Sequence, residues 1–198
     1  SASVAFFNAG YYLNELEFTV GEDGVATIGL RLDKTIGSND YVVVGEWKLW
    51  YMGDPGVVEQ DVSDLIVNNN FDPARGDKNT STIEGWTTTT LNGYKQNTAS
   101  YNKNTFSLSQ KLTGLPKGKY KVTVHTFYRA GSYEEEEANI NSGVDTHLAK
   151  FYAETSEKTF EKAVMNLSEG GVTDAADVPE GVNTRTINGI IVPDGTSA

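Results

Sequence analysis

The stretch Glu15-Leu-Glu-Phe-Thr-Val-Gly-Glu-Asp-Gly-Val-Ala-Thr-Ile-Gly-Leu-Arg-Leu32 decides the fold class. Leu16, Phe18 and Val20 alternate with Glu15, Glu17 and Thr19, and Ile28, Leu30 and Leu32 resume the same spacing beyond Gly21-Glu-Asp-Gly24. Side chains on a strand point to alternate faces, so a period of two marks a half-buried strand. The glycine-rich connection predicts that the two strands close an antiparallel hairpin. Outward from it, residues 41–52 read as the next strand, with Tyr41, Val43, Trp47, Leu49 and Tyr51 on one face and Trp50 opposite Trp47. Further strands are expected at 105–112, 119–128, 147–154, 159–166 and 185–192. No long segment carries an apolar stripe of period 3.6. The short helix expected is residues 3–9, begun by serine and followed by Gly10. Glu134 to Glu137 reads as a solvated loop. Residues 72–104 and 168–184 read as irregular, and 53–64 as a linker.

The chain of 198 residues suits one large all-β domain, and 38% hydrophobic with 11% aromatic residues can build its core. A net charge of −11 repels phosphate backbones, so nucleic acid and membrane insertion are poor partners. The absence of cysteine excludes disulfides, thiolate catalysis and finger-type zinc. Disulfide-free surface modules are common in bacteria, which points to an extracellular or bacterial cell-surface location. No apolar run reaches transmembrane length and no secretory leader opens the chain, which reads as a mature or excised piece.

The text Asp64-Leu-Ile-Val-Asn-Asn-Asn-Phe-Asp72, followed by Gly85-Trp86-Thr87, resembles the opening of galactose-binding-like, carbohydrate-binding-module-type jelly rolls. Leu115-Pro-Lys-Gly-Lys-Tyr-Lys-Val122 with Phe127-Tyr-Arg-Ala-Gly131 is similar to modules repeated in bacterial surface and glycan-degrading proteins. So are Phe6-Phe-Asn-Ala-Gly-Tyr-Tyr-Leu-Asn14 and Glu46-Trp-Lys-Leu-Trp-Tyr-Met-Gly53. These pieces cover nearly the whole chain, but the family's closing strands come first. The resemblance therefore implies a jelly-roll β-sandwich in permuted order, either circularly permuted or cut from a tandem array. Residues 1–53 would be the closing strands, 54–64 a linker and 65–198 the opening strands of one domain. Strands of the first part should pair with strands of the second, the 41–52 strand should lie near a 65–71 strand, and Ser1 should fall near Ala198. The same arrangement permits exchange of halves with neighbouring copies.

The resemblance implies a non-catalytic module that binds a glycan or polysaccharide through loops at one end of the sandwich. The alternative is a structural or adhesive repeat of a large surface protein. An indole face matches the apolar face of a pyranose, which makes Trp86 a candidate, although a Trp after a loop glycine also suits the core. Tyr94 and Tyr101 lie in the long loop among amides, including Asn97, a mixture suited to sugar and equally to ordinary loop packing. Arg129 and Tyr133 follow a strand into a glycine-containing loop, and the guanidinium can hold hydroxyl or carboxylate groups or act as a structural clamp. His125 and His147 show no triad spacing, and His125 reads as a surface or half-buried strand residue. The family's structural calcium maps onto Glu46 and Asp72, oxygen donors of the right hardness.

Overall fold

The structure, a computed structural model, describes residues 1–194 apart from 54, 55 and 57. Two antiparallel sheets pack face to face as an all-β sandwich. One orders β1 (Leu13–Val20), β11 (Gly118–Arg129), β3 (Tyr41–Gly53), β9 (Thr98–Asn102) and β8 (Gly93–Lys95), with β4 (Gln60–Asp61) paired to β3. The other orders β13 (Thr159–Ala163), β12 (Ala149–Thr155), β2 (Ala26–Leu32), β10 (Phe106–Leu112) and β7 (Thr87–Thr88). Two ribbons stand apart, β5 (Gly76–Asp77) with β6 (Thr82–Ile83) and β14 (Thr184–Ile187) with β15 (Ile190–Pro193). The helices are α1 (Ala2–Asn8) and α2 (Tyr133–Asn141).

The expected hairpin over residues 16–32 does not form. β1 pairs with β11, and β2 pairs with β10 and β12, so Gly21–Gly24 crosses from one sheet to the other. Strands on opposite sides of a core each bury one face, and a period of two reads the same for this arch as for a hairpin. Leu115 N donates to Gly24 O at 2.9 Å and pins the crossing. The expected strand at 185–192 is instead the β14–β15 hairpin. Its turn is Asn188-Gly189 with φ of 50° and 82°, the left-handed pair that a two-residue turn needs.

β3 also departs from a strict period. Val124 pairs with Trp47 and Thr126 with Val44, so Gly45 and Glu46 together face His125. This β-bulge reverses the inward phase of the strand. Val42 and Val44 enter the core between the sheets, Trp47 and Leu49 enter it after the bulge, and Tyr41 and Val43 face the other way. The core between the sheets also takes Phe18, Leu30, Phe71, Tyr120 and Phe151. A second core lies on the outer side of the β1–β11–β3 sheet, where Phe6, Phe7, Tyr12, Phe127, Leu167 and Val192 meet under α1 and the β14–β15 ribbon.

Every strand of residues 1–53 pairs with strands from beyond residue 65, β4 being the local exception. The strand expected at 65–71 does not form: the 3-10 helix at Ser63–Leu65 runs into a bend and turns over 66–70, which still lie beside β3. Trp47 N donates to Asn69 O at 2.8 Å and Asn69 Nδ2 returns to Trp47 O at 2.9 Å. The pairing of Tyr51 with Gln60 shows that the chain doubles back along β3; of the linker itself, 54, 55 and 57 lie outside the described residues. Ala198 also lies outside them, while α1 packs against β15, the last described strand.

Glu134 to Glu137 belongs to α2 rather than to a loop. Ser132 Oγ accepts from Glu135 N and Glu135 Oε2 accepts from Ser132 N, a capping box that satisfies two donors of the first turn. Glu136 is the one fully buried side chain of α2, and neither of its oxygens has a hydrogen-bond partner among the described residues. Burial pushes its carboxyl up to about 8, against the pull of Arg129 and with a push from Glu169. A proton held more tightly when folded stabilises below the unfolded value near 4.5, and that stabilisation is lost as pH rises toward 8. Glu136→Gln should therefore match the parent near pH 4.5 and exceed it by a few kcal/mol at pH 8 in urea melts; equal pH profiles for the two proteins would refute this.

Candidate functional site

The second core covers only part of the outer face of the β1–β11–β3 sheet. Where it ends, outward side chains line two adjoining pockets, the two arms of one candidate groove. One arm, about 230 Å³, is lined by Leu13 and Glu15 of β1, Trp50 of β3, and Lys121 and Thr123 of β11. The other, about 540 Å³, runs past Phe7 and Asn8 of α1 to Asn70, Gln96 and Asn97. Glu46, Lys48 and His125 line both arms and form the waist.

The bulge builds this waist. With Trp47 and Leu49 inside, Glu46, Lys48 and Trp50 necessarily point outward. Gly45 is required because a Cβ there would stand 2.8 Å from Phe7 Cδ2. Phe7 in turn stacks on the His125 ring, 5.7 Å between centroids at 30°. His125 Nδ1 lies 2.8 Å from Tyr11 O, a partner that can only accept. Nδ1 of the neutral ring therefore carries the proton, and Nε2 is its acceptor. Trp50 is half-buried, with Lys121 Nζ 5.6 Å from its ring centre, and Lys121 also pairs with Glu59 at 3.4 Å. Glu15, Glu46 and Lys48 take no part in the ion pairs of the described residues.

At the far end, β8 and β9 join through Gln96 and Asn97, with φ of 52° and 60°, another tight two-residue turn. Asn97 is exposed and lines the groove, and its Nδ2 donates to Asn70 O at 3.1 Å. The chemistry on offer is thus one accessible indole, carboxylates, a lysine, an imidazole acceptor and amides, on rigid strands and a tight turn. Such a lining can stack on a ring and exchange hydrogen bonds with many hydroxyl groups.

The other residues singled out from sequence go elsewhere. Trp86 belongs to the core between the sheets, 5.1 Å from the Trp47 ring and 5.5 Å from Phe71, and its Nε1 donates to Val67 O at 3.1 Å. Tyr94 is buried, and its hydroxyl donates to Asp72 O at 2.8 Å while accepting from Asn68 Nδ2 at 3.0 Å. Tyr101 stacks on Phe106 at 4.0 Å and 9°, with its hydroxyl 2.7 Å from Thr88 Oγ1. These three rings are core residues and do not form a sugar-facing loop.

Arg129 is a clamp. It is buried between Tyr41 at 5.3 Å and Tyr133 at 4.6 Å, with Nε donating to Gly131 O at 2.8 Å and Nη2 to Asn39 O at 3.0 Å. Tyr133 donates to Pro193 O at 2.9 Å and carries Arg185 over its ring at 4.5 Å, so the pair fastens the β14–β15 ribbon to α2. Glu46 and Asn97 share the groove, whereas Asp72 caps the 3-10 helix at Pro73–Arg75 by accepting from Ala74 N at 2.9 Å. Among the described residues no three acids or histidines group around a metal-sized site. The Glu46 and Asp72 side chains therefore do not by themselves provide the six to eight oxygens that calcium takes.

Trp50, Lys48, Lys121 and His125 are the groove residues that sequence reading did not select. Their signal was present: Trp50 stands three residues from Trp47 on a strand, hence on the opposite face, and His125 sits between the inward Val124 and Thr126. Comparison with protein-family models, with curated proteins and with solved structures finds no match for this chain.

The split between core and groove has a direct thermodynamic consequence. Trp86→Ala should cost about 3–5 kcal/mol, and Tyr101→Phe about 1 kcal/mol through the lost Thr88 bond. Trp50→Ala should cost much less than Trp86→Ala in the same chemical melts. A Trp86 variant as stable as the parent would remove that ring from the core.

Proposed function

We propose that this chain is a non-catalytic module that binds a carbohydrate chain along the groove between Trp50 and Asn97. The observation that carries the reading is the waist at Glu46, Lys48 and His125, where polar side chains with accessible ends continue into both arms. An open groove with one half-buried aromatic suits an extended polar ligand better than a small apolar one, which is held in enclosed, mostly apolar cavities. Stacking on Trp50 would supply the apolar contact, and the amide end would read hydroxyl groups. The net charge of −11 favours a neutral or weakly charged glycan over a polyanion.

The same proposal takes the sandwich as a galactose-binding-like jelly roll in permuted order, acting at a bacterial cell surface. Two features support the permuted order. β3 and β2 of residues 1–53 each insert between strands from beyond residue 65, one in each sheet, and α1 lies against the last described strand. A module of a multi-domain surface protein would present its groove on the sheet face and leave its ends for neighbouring modules.

Affinity electrophoresis in polysaccharide gels, guided by a glycan array, tests the binding reading. The parent should be retarded by at least one glycan. Trp50→Ala and Lys48→Ala should each weaken retardation tenfold or more, a loss of about 1.4 kcal/mol, with the melting curve nearly unchanged. Failure of every glycan to retard the parent, or undiminished retention of both variants, would reject the groove as a sugar site.

A further inference from the structure

Residues 1–53 hold the middle of both sheets. β3 stands between β11 and β9, and β2 stands between β12 and β10. Without them the remaining chain would present two slots, each two strand spacings wide, roughly 9–10 Å. Each slot would have unpaired backbone N–H and C=O groups on both walls, an arrangement that strongly recruits a strand. The side chains that fill the interior beside those slots come from the same segment: Ile28, Leu30, Val42, Val44, Trp47 and Leu49, none more than 1% exposed.

One covalent connection joins this segment to the rest, between Gly53 at the end of β3 and Gln60 at the start of β4. Gly56 and Val58 within it are exposed, Val58 at 83%. If the connection opened, β1, β2 and β3 could enter another molecule with their pairings and buried contacts unchanged. The closed and exchanged forms would differ in the hinge and in the entropy of association. Tethering favours closure in dilute solution, and crowding of copies favours exchange.

We propose that the double slot in residues 65–194 is an interaction surface whose partner is the 1–53 segment of a second copy of this chain. The inference rests on strand order alone and is independent of what the groove binds.

The test uses the full chain with a protease site inserted beside Gly56, folded first and cut afterwards. The two pieces should co-elute as one folded unit. When cut protein is unfolded together with isotopically heavy cut protein and diluted back, native mass spectrometry should find light–heavy pairs in statistical proportion. Uncut chain refolded under the same dilution is the control. Release of the N-terminal piece while the larger piece keeps its circular dichroism and melting curve would overturn the proposal. So would failure of the pieces to recombine where the uncut chain refolds.

Discussion

At one point in the central strand pair, two residues of β3, Gly45 and Glu46, face the single residue His125 of β11. Much of the molecule depends on this extra residue. Before it, Val42 and Val44 are the inward positions; after it, Trp47 and Leu49 are. Removing the bulge would move one of those sets to the wrong face, because a one-residue slip inverts every side chain beyond it. The bulge is held from above by Phe7, which approaches so closely that only glycine fits at position 45. It thereby ties α1, β3 and β11 together and sets Glu46, Lys48 and Trp50 on the outer face beside His125.

The outer face of that sheet is thus divided between a packed end and an open one. At one end it carries the second core, fastened by buried polar hubs. Asp40 accepts from Ile36 N, Gly37 N and Gly131 N at 2.8–2.9 Å and from the Tyr128 hydroxyl, so its burial leaves no lone pair idle. Arg129, held between Tyr41 and Tyr133, continues the clamp to the C-terminal ribbon. At the other end the face is open, and side chains set by the same strands line the groove. The backbone that carries Glu46, Lys48 and Trp50 is fixed by the core side chains Trp47 and Leu49 that alternate with them.

Much of this was legible in the sequence. The strands at 105–112 and 119–128 follow period-two patterns and form where the patterns lie. The pairing of residues 1–53 with strands beyond 65 was implied by the resemblance of the two parts to pieces of one module. What the sequence hid has identifiable causes. An arch and a hairpin share one hydrophobic pattern, so Gly21–Gly24 did not reveal that it crosses between sheets. The bulge at Gly45–Glu46 has no local signature beyond a glycine, and without it the faces of residues 41–52 are misassigned. Ser132 and Glu135 do carry the spacing of a capping box, which would have marked α2 despite its run of acids. Among the site residues, Tyr94 and Tyr101 read as loop aromatics, while the glycine before Trp86 suits a core ring as well as a sugar-facing one. Tyr94 and Tyr101 instead lie on β8 and β9, and all three rings turn inward, with their polar ends meeting Val67, Asp72 or Thr88.

The central claim is that the first 53 residues and the remainder form one cooperative sandwich around β3. Native-state amide hydrogen exchange measures this strand by strand. The account predicts that the slowest amides of β2 and β3 exchange with the same free energy as those of β11 and β12, equal to the global stability. Exchange of β2 and β3 at a distinctly lower free energy, with β11 and β12 still protected, would contradict it.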